Sequence, residues 1–208
     1  MISIIHQKFC SSMINFYTFI RIITYKYVIG GIIMKERVSW VKVAVLAAAY
    51  TALTYAIAPI AYLINQIRIS DAMLIIPFHK RYGKSALIGL TLGGFLANLL
   101  SPIQPWDLIF GPVTNFVVCS IIYYLGILSR RINADFRIRI IIAIIGALIG
   151  SLVIGLLIGY ELVFLAPPDL SMGTPYLTAV ILLMMSEIIA LVIGGVALLA
   201  TLIRAIPE

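Results

Sequence analysis

From residue 41 onward the chain alternates long apolar runs with short polar punctuation. The runs cover 41–64, 85–101, 108–128, 138–160 and 176–203. Each approaches or exceeds the roughly 20 residues that a helix needs to cross a hydrocarbon core about 30 Å thick. None alternates apolar and polar residues with period two, so the backbone must satisfy its own hydrogen bonds as helix rather than as barrel strand. A shorter apolar piece, 72–78, lies between the first two runs and is too brief to span alone. With its polar flanks it predicts a half-length or strongly tilted helix from about residue 69 to 80. The pattern therefore predicts an all-α integral membrane protein, a six-helix bundle with a short second helix.

Composition agrees with that class. Hydrophobic residues make up 62% of the chain and charged residues 11%, and the mean hydropathy is +1.12. These values lie far from those of a soluble globular domain. The few charges are also ordered. Lys35, Arg37 and Lys42 precede the first helix, and Lys80, Arg81 and Lys84 lie between the short helix and the third. Arg130, Arg131, Arg137 and Arg139 lie between the fourth and fifth helices, and Arg204 ends the sixth. With six helices all of these fall on one side, and the opposite side keeps only Arg68. By the positive-inside rule the basic side, with both termini, is cytoplasmic. A juxtamembrane surface facing anionic lipid accounts for the net charge of +7 without a nucleic-acid partner. The expected location is a prokaryotic plasma membrane, which the chain crosses several times.

Small residues predict close helix packing. Ala44, Ala48, Ala52 and Ala56 recur every four residues on the first helix, a smooth stripe along which another helix can approach. Its spacing fits equally a contact inside the bundle and a docking face for a separate subunit. The stripes Ala86, Gly89, Gly93 and Ala97, and Gly146 with Gly150, read as internal packing.

Polar residues inside the spans discriminate further, because each is costly in a bilayer unless it faces protein, water or ligand. Asp107, Gly111, Thr114 and Asn115 fall on one face of the fourth helix, which must point inward. Asn98 lies near the outer end of the third helix, and Arg68 and Asp71 open the short one. Glu187 lies roughly 17 Å along a last helix that starts near Pro175, at about 1.5 Å per residue, and shares a face with Ala190 and Gly194. Each residue also has a purely structural role open to it. Asp71 and Asp107 can cap helices, with Pro112 then in the first turn; Arg68 and Asp71 can form a brace; Asn98 and Asn115 can bond neighbouring helices. Glu187 is the hardest to explain structurally, since a buried carboxylate demands a partner. Tyr62, Trp106, Tyr160 and Tyr176 flank this region, as interface-belt residues or as a stacking surface for a planar ring. Together these groups predict a site for a small polar ligand entering from outside.

Other chemistries lack support. Cys10 and Cys119 form no framework, and His6 and His79 stand without partners at metal-ligand spacing, so no metal site is expected. Gly83-Lys84-Ser85 resembles the end of a phosphate-binding loop, but Phe78 stands where that motif requires glycine. No nucleophile and base share a site, so neither catalytic residues nor a cofactor are expected. A self-sufficient transporter would show inverted repeats with broken helices, and no clear repeat relates the two halves. Residues 1–33 hold no clean span, and Met34-Lys-Glu-Arg is a natural start, preceded by Gly30-Gly31, whose codons fall where a prokaryotic ribosome-binding sequence would lie. The expectation is that 1–33 is translated upstream sequence, or otherwise an amphipathic surface segment, and that 34–208 is the membrane domain.

The stretch Arg68-Ile-Ser-Asp71-Ala-Met-Leu-Ile-Ile-Pro77, with Ile88-Gly-Leu to Asn98-Leu-Leu-Ser101 and Trp106-Asp107-Leu-Ile-Phe110-Gly111, resembles the QueT family. The resemblance is strongest over residues 44 to 128. These are substrate-capture (S) subunits of energy-coupling-factor (ECF) transporters, associated with uptake of queuosine precursors. The resemblance implies six helices with both termini inside, a vitamin-like substrate bound near the outer surface, and no enzymatic activity. It implies docking through the first helix, here Ala44, Ala48 and Ala52, onto a transmembrane coupling subunit that carries two ABC ATPases. The implied cargo is a 7-deazaguanine such as preQ1 or preQ0. Asp71, Asp107 or Glu187 would accept from its ring N–H and amine, Arg68, Asn98 or Asn115 would donate to its oxygen, and Trp106 would flank it. Asp71 stands where the family usually carries glutamate. An S subunit for a different vitamin-like heterocycle would keep the architecture and change the pocket.

Overall fold

Helices account for nearly all of residues 37–58, 68–167 and 173–206, the parts of the chain that the computed structural model describes. By its contacts the chain divides into two units, Met1–Arg37 and Val38–Glu208, and the helices described here belong to the second. Segment 1–33, with Cys10 and His6, and Tyr62 lie outside the described residues.

Six helices are present among those residues. They are α1 (Trp40–Ala56), α2 (Ile69–Phe78), α3 (Gly83–Ala97), α4 (Asp107–Arg131), α5 (Phe136–Phe164) and α6 (Tyr176–Ala205). A 3₁₀ turn, Asn98–Leu100, extends α3. The helices α3 with its extension, α4, α5 and α6 are long and apolar enough to cross a membrane, while α1 and α2 are shorter. The start signals are local. Asp135 accepts a hydrogen bond from the Ile138 N–H at 2.9 Å and caps α5, and Pro175 precedes α6 with extended backbone. Of the two roles open to Asp71 and Asp107, capping is not the one seen among the described residues: their carboxylates accept instead from Tyr50 and Ser101. Pro112 lies beyond the first turn of α4, where its missing N–H leaves the Leu108 carbonyl without its usual donor.

Helix α2 sits at the centre. Apart from Ile69 and Ala72 every one of its residues is buried, and it packs on all five other helices. Its continuous apolar run, Met73 to Phe78, is what a helix surrounded on every side needs. It is wound throughout as a 3₁₀ helix, at about 2 Å rise per residue. Opposite it, Ile188–Gly195 of α6 is wound as a π-helix. That winding changes one expectation. Glu187 and Ala190 are buried as foreseen, but Gly194 is exposed and Gly195 is buried in its place, because the wider turn shifts the inward face by a residue. A Cβ at Gly195 would lie 3.0 Å from the Ala72 carbonyl oxygen of α2.

The remaining helices pack in chain order, α1 on α3, α3 on α4, α4 on α5 and α5 on α6. On α3 the small-residue stripe is an internal contact: a Cβ at Gly93 would lie 2.9 Å from the Tyr50 Cβ. On α1 the stripe behaves differently. Val43, Leu46, Ala47, Tyr50 and Thr54 face the bundle, whereas Ala44, Ala48 and Ala52 are exposed. The smooth alanine face is therefore not used for packing within the bundle.

Basic residues gather at one end. Lys42 donates to the Arg81 carbonyl at 2.6 Å, Arg130 to the Phe78 carbonyl at 2.7 Å, and Arg204 lies over the Phe136 ring at 4.9 Å. The buried His79 ring contacts the Ile206 carbonyl at the same end, at 3.0 Å. The starts of α2 and α4 and the end of α3 lie toward the other end.

Candidate binding site

The site is assembled from short polar segments of otherwise apolar helices. From α1, Tyr50 and Thr54 share the inward face with Val43 and Ala47, at the spacing that stacks side chains along one stripe. The Tyr50 hydroxyl donates to the Asp71 carboxylate, and Thr54 donates to the Ser70 hydroxyl at 2.8 Å. These bonds seat the start of α2 against α1. Arg68, Ser70 and Asp71 are all buried, although the segment opens a helix and precedes an apolar run.

Helices α3 and α4 are joined by a reciprocal pair of asparagines. Asn98 of α3 donates its amide to the Asp107 carbonyl at 2.9 Å, and Asn115 of α4 donates to the Leu90 carbonyl at 3.0 Å. Each amide lies against a glycine of the other helix: a Cβ added to Gly111 would overlap the Asn98 amide, and one added to Gly94 would meet that of Asn115. The side-chain amide oxygen of Asn98, Oδ1, accepts from Arg68 at 3.3 Å, which ties the guanidinium to the clasp. The Asp107 carboxylate accepts from the Ser101 hydroxyl. Both asparagines thus bond a neighbouring helix, and Arg68 is the strong donor of the cluster.

Two further carboxyl groups complete it. Glu161 of α5 and Glu187 of α6 are fully buried. Glu187 lies within interaction range of Asp71 and Glu161 within range of Asp107. Even so, no carboxylate oxygen of either glutamate has a hydrogen bond of ordinary geometry among the described residues. Nor has the Thr114 hydroxyl, which is buried on the same face of α4 as Asp107 and Asn115. Among the described residues Arg68 carries the positive charge that acts on Asp71, Asp107 and Glu187, and it also acts on Glu161. The cluster is rich in acceptors and has one guanidinium, a set suited to a ligand with several N–H groups and one carbonyl.

Of the residues expected from the sequence, Arg68, Asp71, Asn98, Asp107, Asn115 and Glu187 are all buried and share this cluster. Trp106 does not join them; it is 39% exposed at the surface. Tyr160 stands 46% exposed, in a surface row with Phe110, Phe164 and Tyr176 at ring separations of 5.0 to 6.3 Å. That row has the character of an interface belt. Tyr50 and Glu161 were missed. Glu161 lies one residue past the end of the expected fifth span, and Tyr50 is hidden among the alanines of α1. The rule that a polar group within an apolar helix marks a site points to both.

The profile of the QueT transporter family matches residues 40–204, which takes in all six helices apart from the last residue of α6. The chain belongs to the QueT transporter family. QueT proteins are the S components of ECF transporters, and the family is one of transporters, not enzymes. No curated protein and no solved structure matches the chain. The match to QueT extends through α5 and α6, so it takes in Glu161 and Glu187 as well as the better-marked middle of the chain.

Proposed function

We propose that this chain is the membrane-embedded substrate-capture subunit of an ECF-type ABC transporter that imports a queuosine precursor, a 7-deazaguanine. Membership of the QueT family supports the transport role, and the observation that carries the reading is the buried cluster of Arg68, Asp71, Asp107 and Glu187. A 7-deazaguanine presents a ring N–H and an exocyclic amine beside a carbonyl oxygen. A carboxylate such as Asp71 or Asp107 accepts from the first two, and Arg68 donates to the third. Such a site rejects analogues that lack the same edge, because a buried partner would be left unpaired. The ligand would enter from the end of the bundle opposite the basic residues, which faces outward in this reading.

Delivery needs a partner, since the chain has no nucleotide-hydrolysing motif of its own. The exposed Ala44, Ala48 and Ala52 supply a smooth face on which a transmembrane coupling subunit can seat closely. Two ABC ATPases on that subunit would then drive the reorientation that releases cargo inside. The test is uptake of radiolabelled preQ1 and preQ0 by cells producing the chain together with its coupling subunits. Saturable uptake that depends on both is expected; absence of uptake and of binding to the purified chain overturns the reading.

A further inference from the structure

A serine or threonine inside a helix has an acceptor within reach of its hydroxyl, the backbone carbonyl four residues earlier. Thr51, Thr54, Thr91 and Ser151 all use it, donating at 2.8 to 3.0 Å. Thr114 of α4 does not. The Phe110 carbonyl is the corresponding acceptor, yet the Thr114 hydroxyl has no partner among the described residues, and the residue is 2% exposed. No other buried hydroxyl of those residues is left in this way. A buried polar group without a partner lowers stability, so valine would suit the place better unless the hydroxyl has a use beyond packing.

Packing fixes the depth of this residue. A Cβ added to Gly150 of α5 would lie 2.9 Å from Leu191 of α6 and 3.0 Å from Val118 of α4, so Val118 and Leu191 share a layer. Helices α4 and α6 begin at the same end, where Phe110, Tyr160, Phe164 and Tyr176 form one row. Thr114 and Glu187 each stand about one turn before that layer and are buried. Thr114 is thus level with Glu187, which lies beside Asp71. From Asp107 to Thr114 the helix rises about 10 Å, at about 1.5 Å per residue, so the clasp of Arg68, Asn98 and Asp107 forms a separate layer nearer the helix start.

We infer that Thr114 is a specificity-determining contact of the site and donates its hydroxyl to a ring nitrogen of the ligand. This rests on the 7-deazaguanine reading and deepens it. The six-membered ring of such a ligand carries two acceptors at opposite corners, the carbonyl oxygen and the nitrogen at position 3. Arg68 serves the carbonyl from the layer of Asp107, so the nitrogen needs a donor in the deeper layer. There the Tyr50 hydroxyl is committed to Asp71, and the Asn115 amide is committed to the Leu90 carbonyl. Thr114 holds the hydroxyl that is left, and a hydroxyl can donate or accept as its partner requires.

Thr114→Val keeps the shape and removes the hydroxyl, and Thr114→Ser keeps the hydroxyl. The purified full-length chain and both variants are compared in lipid nanodiscs, by thermal unfolding without ligand and by titration with 7-cyano-7-deazaguanine. Thr114→Val should unfold at the wild-type midpoint or above it, and its affinity should fall roughly tenfold. Thr114→Ser should bind within about threefold of the wild type. The analogue with C–H in place of the position-3 nitrogen should bind the wild type roughly tenfold more weakly than the parent compound, whereas Thr114→Val should bind the two alike. A lower midpoint or failure to fold in Thr114→Val would give the hydroxyl a structural partner and overturn the inference. Unchanged affinity in Thr114→Val, weak binding by Thr114→Ser, or discrimination that survives in Thr114→Val also overturns it, and each of these leaves the 7-deazaguanine reading standing. Failure of the wild type to bind the parent compound overturns both.

Discussion

Asp71 joins three helices at one atom group: it opens α2, accepts from Tyr50 of α1 and lies within range of Glu187 of α6. Asp71→Asn keeps the shape and removes the charge, and its new amide would point a donor at the Tyr50 hydroxyl. Affinity for 7-deazaguanines is expected to fall by roughly tenfold to a hundredfold, consistent with losing a buried charged hydrogen bond. Calorimetric titration checks this, and unchanged affinity would remove Asp71 from the site. Gly111 offers a separate test. Its Cβ would overlap the Asn98 amide, so Gly111→Ala must displace Asn98 and with it the hold on Arg68. Overpacking of this kind costs roughly 1 to 3 kcal/mol, to be read as a lower midpoint in thermal unfolding, with ligand affinity falling as well. At this scale much was legible beforehand, because polarity inside an oily span stands out. Glu161 escaped because α5 runs on to Phe164, whereas the hydropathy pattern closed that span at residue 160. The use of the asparagine amides on backbone carbonyls was one of two open roles, and only the approach of Gly111 and Gly94 decides it.

At the scale of elements, the number and order of the six helices follow from the runs of apolar residues, and so do their approximate ends except in α1, which stops at Ala56 although the apolar run continues to residue 64. The winding of α2 and of residues 188–195 does not. A continuous apolar stretch has no periodicity to distinguish a 3₁₀, α or π helix, and the choice is made by what packs around it. The two irregular windings meet at Ala72 and Gly195, beside Asp71, so a local geometry invisible in the pattern carries a site residue. For α1 the spacing of alanines fitted two roles, and burial excludes one of them, packing inside the bundle: the face with Tyr50 packs inward and the face with Ala48 does not. Ala48→Trp therefore leaves the bundle undisturbed and obstructs an approaching helix. Ligand affinity of the purified variant should stay within about twofold of the wild type, while uptake with the coupling subunits should fall at least tenfold. Equal uptake would assign docking to another face.

The helical unit, Val38–Glu208, is polarised along its axis. Lys42, Arg81, Arg130, Arg139 and Arg204 meet the ends of helices at one end, and Arg68 with the buried carboxylates serves the opposite half. Positively charged loops resist translocation, so the basic end should remain in the cytoplasm and the α3–α4 connection should face outward. Single cysteines distinguish the two sides when Cys10 is replaced by serine; Cys119 is fully buried and can stay. Lys80 and Pro102 are exposed at opposite ends of the bundle. In intact cells a membrane-impermeant maleimide should label Pro102→Cys, and it should reach Lys80→Cys only after permeabilisation. The reverse pattern would place the carboxylate-rich half inside and make the chain unsuited to capturing an external ligand. Labelling of both from outside would contradict a bundle whose ends lie on different sides of the membrane.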